Sequence, residues 1–354
     1  MIEKKQRVPR QKSLTSVDVA HKAGVSRTAV SYVLNGAQNA HVSEEKRARV
    51  LQAAQELGYH MNTSAQALRK GQSNEICILS SISMSANDAE IFMSLQQHAL
   101  LHGYVPAVYF VGGLTTEQQK ELLLRLVASR PLALFLGPGC INAEYIALAQ
   151  QTGTKYILLG VAELLEEHLP ATLPSVSIPT RELGYLAAQH LLERGHRHLG
   201  ILHPDDPRHE LAFQQRLQGM HAAIAEAETQ PGAIQLDIFP MHFSMSGAHT
   251  LVDTYLIGAE RATGIYAFND EYALPLMGAL NDRGIRIPQD IAIIGTDNIS
   301  FSAFVRPALT TINIDNVALG QRGIEMLIAL EKGKPLSADL TQSPTPELII
   351  RAST

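Results

Sequence analysis

Arg27, Thr28, Ser31 and Tyr32 stand at i, i+1, i+4 and i+5 of one helical stretch, which gathers a guanidinium, two hydroxyls and a phenol on one outward face. Such a face can read duplex DNA. Arginine forks onto guanine O6 and N7, threonine meets a thymine methyl or a base edge, and tyrosine touches a phosphate or a methyl. The free amides at the starts of this helix and of the one before it, near Thr15, Ser16 and Ser26, suit phosphate oxygens, with Asn35 just beyond. The elements that position these groups are legible as well. Thr15, with Asp18 three residues on, caps a first helix whose apolar stripe is Val19, Ala20 and Ala23. Gly24 permits a sharp turn, and Ser26 caps a second helix with Val30, Val33 and Leu34 inward. A third amphipathic helix runs from about Ser43 to Gly58, with Val50, Leu51, Ala54 and Leu57 predicted inward. Helix, tight turn, helix is the arrangement that presents the start of the second helix to a major groove. A three-helix interaction module without nucleic acid is the alternative use of the same pattern.

Charge favours the first use. Residues 1–73 hold 12 Lys and Arg against 5 Asp and Glu, a net +7, whereas residues 74–354 hold 17 against 29, a net −12. A small basic piece on a large acidic one predicts a polyanion partner for the first piece alone. With 354 residues and 45% hydrophobic content, the chain can bury a large core in two or three domains. No run of residues approaches a membrane span, and "MIEKKQRVPRQKS" lacks the apolar centre of a signal peptide, so a cytoplasmic location is expected. Cys77 and Cys140, the only cysteines, lie in apolar runs and read as buried small hydrophobes.

Between these pieces, "TSAQALRKGQS" carries one bare leucine, Leu68, beside Arg69 and Lys70. With no apolar face and about a dozen residues, it has too little to hold a helix alone.

From residue 75, short apolar runs alternate with amphipathic helices: "EICILSS", "YVPAVYFV", "PLALFLG", "KYILLGV", then "SVSI", "HLGILHP", "IQLDIFP", "GIYAFND", "DIAIIGTD". Continuous apolar runs separated by helices indicate buried parallel strands, here in two successive series. The fold class is α/β: two doubly wound parallel-sheet halves behind an all-α segment. Ligands of such sheets sit beyond the carboxyl ends of the strands. Ser80, Ser81, Gly112, Gly137, Gly160, His203, His242, Asn269 and Asp297 fall there.

Catalytic and metal readings find less. In "GHRHLGILHPDDPRH", His196 and His198 begin a strand and His203 ends it, roughly 17 Å away at about 3.3 Å per residue, too far for one ion. No strand is followed by G-x-G-x-x-G, and "GKP" at 333 lacks the rest of a phosphate loop. No nucleophile and base stand out, so no catalytic residue, metal or cofactor is expected.

"VDVAHKAGVSRTAVSYVLNG", "HVSEEKRARVLQAAQELGY" and "NTSAQALRKG" together closely resemble the DNA-binding segment of the lactose-repressor (LacI/GalR) family of bacterial transcription regulators. The resemblance continues through "LLERGHRHLGIL", "RLQGM", "AFNDEYAL", "RIPQDIAIIGTDN" and "PALTTI", nearly the whole chain. It implies a periplasmic-binding-protein-like effector domain of two subdomains, in which Arg216 matches the arginine that grips effectors, Asn269 a polar contact and Asp297 an acidic one. Ser81, Gly160, His203 and His242, taken from the strand ends, complete the expected effector set. It also implies that 61–73 is a hinge helix formed on the operator, with Leu68 the wedge between base pairs and Arg69 a minor-groove contact. The chain departs from the family in several places. The loop "GAQNAHV" is about two residues longer than usual, and a basic tail precedes the usual start. Gly160 stands where many relatives carry an acid and His242 where an aromatic ring often stacks. The loop before Arg216 is long.

The resulting expectation is a homodimeric repressor, reading a near-palindromic double-stranded operator under control of a small-molecule effector. Its parts are a disordered basic tail (1–14), a helix-turn-helix domain (15–60), a hinge (61–73) and an effector and dimerisation domain (74–354). Within the last, one subdomain takes about 74–174 and 313–340, the other about 175–312 and 341–354. The C-terminal helix at Val317 to Leu330 is expected as a crossover element, and no heptad tail for tetramer formation follows it. A metabolite-binding or enzymatic protein with an accessory basic domain is the alternative.

Overall fold

The structure is a computed structural model that describes residues 14–34, 42–59, 73–80, 86–137, 140–160, 173–227, 233–258 and 260–354. The expectations placed on the tail up to residue 13, on the loop 35–41 with Asn35, on the hinge with Leu68 and Arg69, and on Ser81 lie outside these residues. The chain divides into two units, 1–73 and 74–354.

In the first unit, α1 (Ser16–Ala23) opens on a reciprocal cap. The Thr15 hydroxyl accepts from Val17 N at 3.3 Å, and the Asp18 carboxylate accepts from Thr15 N at 2.7 Å. Gly24 ends the helix at φ +61°, a conformation glycine adopts without a Cβ penalty. Ser26 Oγ then accepts from Ala29 N at 3.1 Å and starts α2 (Arg27–Leu34). Ser43 caps α3 (Glu44–Leu57), which ends at Gly58, also left-handed. Val19, Ala20, Ala23, Val30, Val33, Val50, Ala53 and Ala54 close a small core. Leu51, predicted inward, is 51% exposed, and Ala53 fills that role. The reason is helical phase. Val50, Ala53, Ala54 and Leu57 already complete an i, i+3, i+4, i+7 stripe, and Leu51 lies a further 100° round the helix.

The second unit contains two sheets. The first, in order β2-β1-β3-β4-β5, is parallel throughout: β1 (Glu75–Ser80), β2 (Val105–Phe110), β3 (Ala133–Leu136), β4 (Tyr156–Gly160) and β5 (Ser175–Val176). Burial on both faces explains the unbroken apolar runs. Ile76 and Ile78 of β1 enter one core and Cys77 and Leu79 the other. Helices α4 (Ala86–Leu101), α5 (Thr116–Ala128) and α6 (Ala143–Gln151) connect these strands.

The second sheet, in order β7-β6-β8-β9-β10-β11, comprises β6 (His198–Pro204), β7 (Gln235–Met241), β8 (Gly264–Tyr266), β9 (Ala292–Thr296), β10 (Thr310–Asn313) and β11 (Glu347–Ile349). Only β11 runs antiparallel to its neighbour. Helices α7 (Thr180–Glu193), α8 (Glu210–Ala227), α9 (Met245–Leu251) and α10 (Asp270–Asp282) cover it. The chain crosses between the sheets after β5, again before α11 (Asn316–Glu331), which returns to pack on α4, and after α12 (Ala338–Thr341). The first crossing follows Val176, close to the expected boundary at about 174, because β5 pairs with β4.

Two helix pairs approach as closely as glycine allows. A Cβ on Gly184 of α7 would lie 1.9 Å from Arg216 O, and one on Gly219 of α8 would lie 1.9 Å from Arg181 O. A Cβ on Gly320 of α11 would meet Ile91 O of α4 at 2.4 Å. Backbone packs directly on backbone at these points, so the positions of α7 and α8 are rigidly tied. Both cysteines are buried, and burial pushes each thiol up to about 12, which keeps them unreactive. No helix of the described residues is long and apolar enough to cross a membrane.

Candidate nucleic-acid interface and ligand crevice

In the first unit, Arg27 and Thr28 are exposed at the start of α2 and Tyr32 is 47% exposed one turn later, while Ser31 is half-buried between them. No acid occurs in the first turn of α2, so nothing there repels a phosphate. Arg27 Nε donates to Ser16 Oγ at 3.2 Å, which draws the start of α1 and the start of α2 onto one surface. The amides there are fewer than the sequence implied. Thr15 N is taken by the Asp18 carboxylate and Ala29 N by Ser26. A pair between Lys22 and Glu56 at 2.8 Å joins α1 to α3, and the lysine ammonium holds the Glu56 carboxyl below its usual range.

In the second unit, Gly160, His203, Asn269 and Asp297 all fall at or just beyond the carboxyl ends of parallel strands, and Arg216 of α8 reaches Phe268, next to Asn269, and acts on the Asp297 charge. Arg216 is 8% exposed. Its Nη1 donates to Phe268 O, its guanidinium carbon sits 4.2 Å above the Phe268 ring, and its buried Nε has no partner among the described residues. Burying a guanidinium with a donor unsatisfied is costly, and such a group is a place for a ligand acceptor.

Asp297 follows β9 with φ +100°, a strained value for a side chain bearing a Cβ. Its N donates to Ile312 O at 2.9 Å, whereas its carboxyl, on a residue only 8% exposed, makes no hydrogen bond or ion pair among the described residues. Burial above all pushes its pKa up to about 7. Arg216 pulls it down, and the charges of Asp270, Asp88 and Glu271 push it further up. Arg216 and Asp297 therefore face one electrostatic space without closing on each other.

Asn269 spends its Oδ1 on capping α10, accepting from Tyr272 N at 3.0 Å, which leaves its amide nitrogen for a ligand. Gly160 leaves the end of β4 without a side chain, and a Cβ there would find only ordinary contacts with Leu136 O at 3.6 Å and Gly137 Cα at 3.7 Å. His203 and His242 are otherwise engaged. His203 stacks on Phe213 at 4.0 Å and pairs with Glu210 at 2.8 Å. His242 Nδ1 pairs with Asp205 at 2.7 Å, its side chain 70% exposed. His196 bonds Thr263, just before β8, and His198 bonds Asp237 of β7.

Sequence reasoning missed three groups. Asp270 is buried beneath the site, accepting from Ser302 Oγ at 2.5 Å, Thr311 Oγ1 at 2.6 Å and Ile299 N at 3.1 Å, and burial lifts its pKa to about 6 against those bonds. This carboxylate braces the turn that carries Asp297, and its place next to Asn269 was its only sequence signal. Phe268, packed on Arg216, holds φ +60°. The third group is the aromatic wall around it. His209 lies edge-on to Phe268 at 5.4 Å and Tyr272 at 6.0 Å. Burial lowers the His209 pKa, with Asp206 opposing and the Arg216 and Arg208 guanidiniums adding to the fall.

Comparison with known proteins covers both units. A family described as "Bacterial regulatory proteins, lacI family" matches residues 15–62, and one described as "Periplasmic binding protein-like domain" matches residues 188–354. The HTH-type transcriptional repressor PurR of Aliivibrio salmonicida (strain LFI1238) is 29% identical over 340 residues, 96% of this chain and 98% of that protein. Among solved structures, the Lac repressor dimer bound to operator and the anti-inducer ONPF superposes with a TM-score of 0.79 at 26% identity, over 97% of this chain and 99% of the other. The transcriptional regulator CelR–cellobiose complex shares the fold, with a TM-score of 0.63 at 22% identity over 96% and 100%.

Proposed function

The chain belongs to the lacI family of bacterial regulatory proteins and is a DNA-binding transcription regulator, not an enzyme; we propose that it is a cytoplasmic homodimeric repressor whose hold on a near-palindromic operator is set by a small molecule at Arg216 and Asp297. The observation that carries this reading is the exposed, acid-free start of α2. Arg27, Thr28 and Tyr32 share one face there, on a unit of net charge +7. Two-fold pairing supplies the second half-site. Its support lies in the sheet edges. The edge strands β2 and β7 expose Val105, Phe110 and Ile238, and Leu101, just before β2, is 78% exposed, apolar surface that a second copy would cover. The operator-bound dimer of the Lac repressor supports the same assembly.

The effector reading rests on a buried guanidinium whose Nε has no acceptor and a buried carboxyl that makes no hydrogen bond among the described residues. Such a pair takes a ligand with an acceptor toward Arg216 and a donor toward Asp297. No cofactor enters this reading. Leu68 and Arg69 belong to it as the hinge wedge and its minor-groove neighbour. Selection of bound duplexes from a random library tests the DNA part, with enrichment of a two-fold-related site expected and no enrichment over competitor refuting it. Operator affinity measured across a metabolite panel tests effector control.

A further inference from the structure

β9 leads into two consecutive left-handed residues, Asp297 at φ +100° and Asn298 at φ +50°. Backbone of this kind persists only where its surroundings over-determine it. Three sets of contacts do so here. Asp297 N donates to Ile312 O at 2.9 Å and Asn298 N to Thr311 Oγ1 at 3.3 Å, which lays the turn along β10. Beneath it, Asp270 accepts from Ile299 N at 3.1 Å. The third set comes from the far end of the chain. Arg351, two residues past β11, donates from Nη1 to Leu309 O at 2.7 Å and from Nη2 to Asn298 Oδ1 at 2.6 Å. Its backbone is pinned as well. Arg351 N donates to Thr310 Oγ1 at 2.9 Å, Ala352 N donates to Ala308 O at 3.0 Å, and the buried Ser353 hydroxyl bridges Thr310 N and Ile293 O. A guanidinium fork held this way fixes the amide it touches.

The Asn298 amide is used at both ends. While Oδ1 accepts from Arg351, Nδ2 donates to Asn313 Oδ1 at 3.3 Å. Asn313 is the last residue of β10, and the chain then crosses to the first sheet, where α11 begins at Asn316. We propose that Arg351 is a positioning residue of the effector crevice: through Asn298 it sets the Asp297 turn and ties it to Asn313, so that a ligand at Asp297 acts on the crossing between the two sheets. A side chain bonded at both ends leaves little slack. A shift of the turn either breaks one of the two bonds or carries Asn313 with it. The proposal rests on the reading that the crevice binds the effector.

The test is hydrogen exchange, read by mass spectrometry on the full-length protein without ligand, with affinity for the duplex recovered from the random library followed in parallel. Arg351→Gln is expected to speed exchange about tenfold in segments 297–302 and 312–316, the factor for losing one charged hydrogen bond, while β6 and β7 keep their protection. Asn298→Asp, which keeps the acceptor for Arg351 and removes the donor to Asn313, is expected to release 312–316 alone. Operator affinity is expected to shift about fivefold or more in both variants. Exchange raised equally in β6 and β7 by Arg351→Gln marks a merely structural residue and overturns the proposal, as does a 312–316 segment unmoved by Asn298→Asp. Local release with unchanged operator affinity upholds Arg351 as the holder of the turn and refutes control of the operator from this crevice instead.

Discussion

Gly184→Ala tests whether the α7–α8 crossing is what places Arg216. A Cβ at this position would stand 1.9 Å from Arg216 O, 2.6 Å from its carbonyl carbon and 2.8 Å from its Cα, where ordinary contact begins at 3.4 Å. All three atoms are backbone, so no rotamer change relieves the overlap, and the helices must part by about 1.5 Å at the crossing, the shortfall from ordinary contact. Overpacking of this kind costs about 3 kcal/mol or more, at the upper end of its usual range, because Leu183, Ala187 and Met220 of the same core lose contacts as well. The displaced backbone belongs to the residue whose guanidinium donates to Phe268 O and, in the proposed function, meets the effector. Effector response is therefore expected to fall further than DNA binding in the absence of effector. The chain has no Trp, so urea unfolding is followed by circular dichroism. Gly113→Ala, with nothing within 4 Å of its Cβ, is the control, expected within about 0.5 kcal/mol of wild type. A Gly184→Ala protein as stable as this control, with effector response intact, refutes the reasoning.

Asp297→Asn is expected to flatten the dependence of stability on pH. The folded pKa, pushed up to about 7, lies above the unfolded value, so the wild-type residue contributes stability that is full below about pH 4 and lost as pH rises to about 7. Denaturant midpoints of the two proteins measured between those limits should converge at one end and differ by a few kcal/mol at the other, and parallel curves would contradict the assignment. Arg27→Ala is expected to weaken specific duplex binding by about 1–3 kcal/mol in filter binding or anisotropy, with non-specific binding much less affected. Ser353→Ala should cost about 2 kcal/mol in urea unfolding, because the buried hydroxyl accepts from Thr310 N at 2.8 Å and donates to Ile293 O at 2.6 Å. An unchanged midpoint there would show that water satisfies both groups.

The sequence by itself determined whatever depends on neighbours a few residues apart. The Thr15–Asp18 cap, the glycine stops at Gly24 and Gly58 and the exposed start of α2 follow from local pairing and helical period. The apolar runs of β1, β3 and β9 follow from burial on both faces. The placing of Asn269 and Asp297 beyond strand ends was also legible, from the apolar runs that precede them. Tertiary structure alone decided how these groups are used. Nothing local marks Leu51 as outward, Phe268 as the ring beneath a guanidinium, or Asp270 as the brace of a turn on another strand. The same holds for the close helix crossings. In each case a residue's role is set by an atom far away in the chain that arrives only on folding. Period and propensity constrain which face a residue occupies, but not what packs against it.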